Sequence, residues 1–155
     1  MLLADGEIDV VFGKDSWIHD GDKGAFFSEV YRVLKPGGIL TAGDWMRSEK
    51  PYGKDMEHWF KMEGLIYHMN TIDEYGQILR ECGFIDIELK DIAEAYRVKA
   101  HEEYLSMLGG PLRGAMLEIL GAEKQAHFVE NWRAMTVVLE SGKLHPSHFR
   151  ARKPL

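Results

Sequence analysis

Cysteine is nearly missing from this chain: Cys82 stands alone. One thiol excludes an internal disulfide and a cysteine-based zinc site, and it suits a reducing cytoplasm. A long hydrophobic run is missing too. No stretch approaches the ~18 to 20 apolar residues that span a bilayer, so no membrane partner is expected. The opening MLLADGEIDV has no basic flank and only a short apolar piece, which does not make a signal peptide. Basic residues are in deficit, with 19 Lys and Arg against 25 Asp and Glu and a net charge of −6. Nucleic acid, which needs a basic face, is excluded as a main partner; the closing HFRARKP is too short to reverse that balance. Also missing are internal repeats, low-complexity tracts and any GxGxxG loop.

What is present is an ordinary globular composition, 45% hydrophobic and 28% charged over 155 residues, enough for one domain around one core. EIDVVF, residues 7–12, is a β-branched and aromatic run that predicts a strand apolar on both faces. Residues 22–34 predict a helix, with Phe27, Val30, Tyr31 and Leu34 on one stripe and Asp20 or Asp22 at its start. Lys35-Pro36-Gly37-Gly38 ends that helix, and a second strand runs from Ile39 to Asp44-Trp45. Strand, helix and strand on short connections make a βαβ unit with parallel strands.

Further on, a helix is expected over 54–68. Thr71-Ile72-Asp73-Glu74 has the capping-box pattern and opens a helix to Cys82, closed by Gly83. A half-covered strand is expected over 84–90, helices over 94–108, 111–120 and 122–140, and a last strand over 147–153. The fold class is α/β, with four strands and helices between them.

VVFGKDSWIHD, residues 10–20, carries the chemistry. An apolar strand ends at Gly13, and Lys14, Asp15 and His19 follow within six positions. Reactive groups in α/β proteins sit just past the carboxyl ends of strands. IDVVFGKDSWIHDGDKGAFFSEVYRVLKPGGILTAGDW resembles the later part of a class I S-adenosylmethionine-dependent methyltransferase. YRVLKPGGIL matches the helix-turn-strand segment after that fold's fourth strand. KDSWIH is similar to the corresponding stretch of phosphoethanolamine N-methyltransferases and of glycine/sarcosine methyltransferases. The resemblance runs over essentially the whole chain, HFRARK included. It implies one domain, residues 1–155, equivalent to the C-terminal part of a methyltransferase domain. The sheet would be the partial, Rossmann-like one of that fold, with its later strands only, helices on both faces and an inserted helical lid. The first three strands, the glycine-rich cofactor loop and the ribose-binding acid would then be absent.

The resemblance also implies roles. His19 takes part in catalysis, with a tyrosine partner that would lie before Met1. Histidine ordinarily titrates near ~6.5, so it can take the proton an amine must lose before methylation. The plainer role for His19 is a loop residue before the next helix. Asp15 meets the substrate amine or the cofactor's sulfonium, or else merely closes the turn after Gly13. Lys14 offers its backbone to the cofactor while its side chain is solvated. S-adenosylmethionine is the implied cofactor.

For the substrate, Asp44 and Trp45 end the second strand, and on the 54–68 helix Met56, Trp59, Phe60, Glu63 and Tyr67 share a face. Glu63 among aromatics needs a partner: a bound ammonium, with Trp59 and Trp45 adding cation–π attraction, or water at the edge of the face. Tyr52, Tyr67, Tyr75 and Tyr96 are core or pocket-rim residues. His145 and His148 lack metal-binding spacing, and no metal is expected. The phosphoethanolamine enzymes hold phosphate with an arginine, a tyrosine and a lysine; here Glu63, Leu65 and the Ala134–Met135 region stand in those places. A carboxylate and apolar surface argue against a phosphorylated substrate and for a small amine.

The expected function is thus methyl transfer to a small amine, incomplete if the chain lacks its front. The alternative is a non-catalytic binding or assembly module. An unguarded apolar strand at Ile8–Phe12 predicts pairing with a second copy, as a homodimer or a larger homo-oligomer.

Overall fold

The computed structural model describes residues 3–49 and 51–155. They pack as two compact units. The first holds the chain up to Arg47, Tyr67–Ile92 and His145–Leu155; the second holds Ser48–Ile66 and Ala93–Leu144.

The first unit is a four-stranded mixed sheet with two helices. Strand β1 spans Ile8–Lys14, helix α1 Lys23–Val33, β2 Leu34–Arg47, α3 Ile72–Glu81, β3 Ile85–Asp91 and β4 Leu144–Arg152; α2, Lys54–Glu63, belongs to the second unit. The order is β1-β2-β4-β3. β1 runs parallel to β2, as the βαβ pattern predicts, and β3 runs antiparallel to β4. Asp22, not Asp20, caps α1, its side chain accepting from the Ala25 N–H at 2.9 Å. The Thr71–Glu74 capping box forms with both of its bonds.

β2 begins earlier than expected, at Leu34 rather than Ile39. Ile8 pairs with Leu34 and Val10 with Ile39, so Lys35–Gly38 bulges out of the ladder. Gly37 sits at φ +76°, where a glycine carries no steric cost. The Pro-Gly-Gly motif therefore interrupts a strand that has already begun.

The core of this unit is aromatic. Tyr75 lies 5.7 Å from Phe27 and 5.3 Å from Phe149, and Trp17 lies 5.5 Å from Phe149, all between ring centroids. Trp17 follows β1 and folds back onto it. A Cβ at Gly13 would sit 2.3 Å from the indole, so the glycine is there to admit the ring. On the opposite face of β1, Val10 and Phe12 are 53% and 72% exposed.

The second unit is helical: α2 (Lys54–Glu63), α4 (Ala93–Leu108) and α5 (Pro111–Glu140). α5 breaks at Gly121 (φ +81°, ψ 167°), which divides it into the two helices read from the sequence. Three pairs join α2 to the region after the break: Lys143 to Asp55 at 2.7 Å, His58 to Glu130 at 2.9 Å and Asn131 to Glu63 at 2.9 Å. Trp132 donates to Glu103 on α4 at 3.2 Å, and the buried Gln125 donates to the Met107 carbonyl at 2.8 Å.

α2 corrects the expected 54–68 helix. It stops at Glu63 because Gly64 takes a left-handed conformation (φ +67°) and its N–H closes on the Phe60 carbonyl. Tyr67 is therefore not on the Trp59–Glu63 face; it belongs to the first unit. Met135 and Leu139 are buried together with Asn131, Ala134 and Val138, while Phe128 is exposed.

Candidate functional site

The parallel pairing of β1 and β2 brings their carboxyl ends side by side: Lys14 pairs with Gly43, and the Asp15 N–H donates to the Gly43 carbonyl at 2.9 Å. The two sequence stretches expected to carry chemistry, Lys14–His19 and Asp44–Trp45, therefore meet at one edge of the first unit. Asp15 turns the chain there with a left-handed φ of +52°, a conformation aspartate tolerates better than most residues. Partial burial raises its carboxyl above the ordinary range, against the pull of Lys14, whose ammonium is 3.8 Å away. The Lys14 side chain is exposed, as expected.

His19 ends a single turn, Trp17–His19, whose Trp17 and Ile18 are buried while the histidine is exposed. Its ring stacks on Tyr67, with centroids 5.3 Å apart and planes 24° apart. The backbone around it is held from several directions. The Ile18 N–H donates to Asp44 Oδ1 at 3.3 Å. The Ile18 carbonyl accepts from the His68 N–H at 2.8 Å, and the Asp20 N–H closes on the Trp17 carbonyl at 3.0 Å. Lys23 Nζ donates to the Asp20 carbonyl and, at 3.0 Å, to the His68 carbonyl.

Asp44 is 2% exposed, and its second oxygen accepts from the Tyr75 hydroxyl. Burial raises the Asp44 carboxyl, opposed by the Tyr75 and backbone hydrogen bonds and by the Lys23 charge. Burial also raises the Tyr75 hydroxyl and lowers the Lys23 ammonium. Both Asp44 oxygens thus have partners inside the protein. Trp45, next in the strand, alternates to the opposite face and is half-buried.

Trp59 and Glu63 lie in the second unit. Trp59 is buried, its ring tilted against Phe60 at 5.6 Å. Glu63 is half-buried and has a partner the sequence did not suggest: Asn131 Nδ2 donates to it at 2.9 Å. The Asn131 Oδ1 is buried with no hydrogen-bond partner among the described residues.

Sequence reasoning missed Lys23, read only as part of a helix, and His68. It also missed His148, whose imidazole packs against Gly43 and whose charge acts on Asp15. Tyr75 was legible as a core residue but not as the donor to Asp44. Nothing in the spacing signals these roles, because each depends on contacts between segments far apart in the sequence: Lys23 with His68, Gly43 with His148 and Asp44 with Tyr75.

Residues 1–42 match the profile of a family described as a methyltransferase domain. Phosphoethanolamine N-methyltransferase 1 of Arabidopsis thaliana is 32% identical over 92 residues, 59% of this chain and 18% of that protein. The glycine/sarcosine/dimethylglycine N-methyltransferase of Actinopolyspora halophila is 31% identical over 136 residues, 83% of this chain and 23% of that protein. Among solved structures, Haemonchus contortus phosphoethanolamine N-methyltransferase 2, in complex with phosphomonomethylethanolamine and S-adenosylhomocysteine, superposes with a TM-score of 0.89 at 21% identity. It covers 99% of this chain and 35% of its own. The chain spans less than half the length of each of these proteins. The chain is thus similar in sequence to these N-methyltransferases over part of their length, and its fold is that of the corresponding part of a methyltransferase.

Proposed function

We propose that this chain serves methyl transfer from S-adenosylmethionine to a small amine, with His19 as the proton acceptor. The observation that carries this reading is the placement of His19. It is exposed just past the end of β1, stacked on Tyr67, and its neighbours Ile18 and Asp20 are fixed by backbone bonds. An amine is protonated at neutral pH and has no lone pair to alkylate. A base held in place beside it removes that proton.

Asp15 fits the cofactor because a carboxylate at the strand end suits a positive centre. Lys14 does not suit a sulfonium; its ammonium pairs with Asp15 or meets the carboxylate end of the ligand. When bound, the cofactor supplies an electrophilic methyl group on positively charged sulfur. Asp15 and Lys14 bind and orient, while His19 takes up the proton.

The acceptor in this reading is an amine without phosphate. Glu63, one turn further along α2 than Trp59 and Phe60, favours a cation and repels a dianion. Trp59, on the same helix as Glu63, is the aromatic residue assigned to that cation. We also assign the free edge of β1, with the exposed Val10 and Phe12 beside it, to contact with a second copy of the chain. The lone, half-buried Cys82 thiol suits a cytoplasmic setting.

Replacing His19 by alanine is expected to lower methyl transfer to a panel of small amines by ~100-fold or more. An unchanged rate would remove His19 from the mechanism. Calorimetry with S-adenosylhomocysteine separates this reading from a non-catalytic module, which would give no heat at millimolar ligand.

A further inference from the structure

We propose that Asp44, Tyr75 and Lys23 are positioning residues that hold the His19 imidazole in place by gripping the backbone on both sides of it. This rests on the reading of His19 as the proton acceptor.

Three buried polar groups converge beneath one exposed histidine. Asp44 takes the Ile18 N–H on one carboxylate oxygen and the Tyr75 hydroxyl on the other. Lys23, 4% exposed, donates to the carbonyls of Asp20 and His68. The residue before His19 and the residue after it are therefore both anchored from the interior. The Tyr67–His68 segment is anchored as well: the His68 N–H binds the Ile18 carbonyl, and Lys23 binds the His68 carbonyl. That segment supplies the Tyr67 ring on which His19 stacks. Lys23 thus ties together both strands of chain that form the stacked pair.

Burying an aspartate and a lysine costs solvation energy that apolar residues would not lose. Structural capping alone does not account for the expense, since α1 already has Asp22 as its cap and α3 has its capping box. What the buried groups add is a fixed backbone on each side of one side chain. A general base displaced by ~1 Å loses much of its rate advantage, so rigidity at that point has a chemical return. Asp44 accordingly takes a different role from the substrate contact the sequence suggested. Tyr75 orients Asp44, and Asp44 orients Ile18.

The test is nuclear magnetic resonance on the full chain, reading the His19 ring signals and the exchange of the Ile18 and His68 amides with solvent. Tyr75→Phe keeps the ring in the core and removes only the hydroxyl. Lys23→Met keeps the aliphatic length and removes the two donated bonds. Each is expected to shift or broaden the His19 ring signals and to speed exchange at Ile18 or His68 by about tenfold. Leu40 and Phe149, in the same sheet, should keep their protection. Asp44→Asn retains an oxygen for the Ile18 N–H and should restore much of what Asp44→Leu loses. Unaltered His19 signals and unaltered Ile18 and His68 exchange in both Tyr75→Phe and Lys23→Met would overturn the proposal. Should Asp44→Leu fail to fold, those two conservative variants still decide. A separate failure, with these variants behaving as expected while His19→Ala leaves methyl transfer intact, would sink the role of His19 and leave the bracing in place.

Discussion

His19 is exposed, yet the main-chain groups beside it are bonded to the interior: the Ile18 N–H to Asp44, the Ile18 carbonyl to the His68 N–H and the Asp20 N–H to the Trp17 carbonyl. Charge at the residue scale makes opposite demands in the two units. Asp44 has its carboxyl raised by burial, so the folded state binds a proton more readily than the unfolded chain. Its contribution to stability is fullest at low pH and is lost as pH rises from the ordinary aspartate value near ~3.9 through the raised one. Asp55 has its carboxyl lowered, chiefly by the Lys143 hydrogen bond. Its contribution is present above ~3.9 and is lost as pH falls through the lowered value. Unfolding followed from pH 7 downward should therefore show the second unit weakening in acid, and Lys143→Met should flatten that dependence. An identical acid slope in the variant would contradict the pairing. Glu63→Gln should weaken amine binding while leaving the fold intact; equal affinity would remove the cation from that site.

At the scale of elements, glycines decide where helices and strands stop. Gly13→Ala should destabilise the first unit by ~1 to 3 kcal/mol, since its Cβ would overlap a rigid indole. Gly121→Ala forces an L side chain into a region nearly reserved for glycine and should cost ~1 to 3 kcal/mol in the second unit. Thermal unfolding of each variant checks these values; no loss at Gly121 would mean that α5 straightens without penalty. Thr71→Ala should cost about 1 kcal/mol by opening the capping box.

The same elements show what the sequence could and could not convey. Local signals were legible: the apolar run of β1, the capping box, and the Gly121 break that separates 111–120 from 122–140. The early end of α2 was not, because Gly64 followed by Leu-Ile-Tyr keeps an apolar look that continues the helical stripe on paper. The grip on His19 was not legible either. Its bonds join residues 26 and 31 positions apart, Ile18 to Asp44 and Asp44 to Tyr75; the pairing of β1 with β2 brings the first two together, and the packing of α3 brings in the third. Family resemblance found the histidine; three-dimensional pairing found what holds it.

At the scale of the whole molecule, β1 is an edge strand among the described residues and carries exposed Val10 and Phe12 between the charged Asp9 and Lys14. Light scattering is expected to give a mass of at least two chains, and Phe12→Lys should reduce it toward one. A single-chain mass for the unaltered protein would refute pairing through that edge. The cofactor assignment has a more direct test. S-adenosylhomocysteine added to the isotope-labelled chain should shift the amide signals of Lys14, Asp15 and His19 first, with Asp15→Asn weakening the response. Signals at the end of β1 that stay fixed at millimolar ligand, or shifts confined to other parts of the chain, would contradict the placement of the methyl donor there.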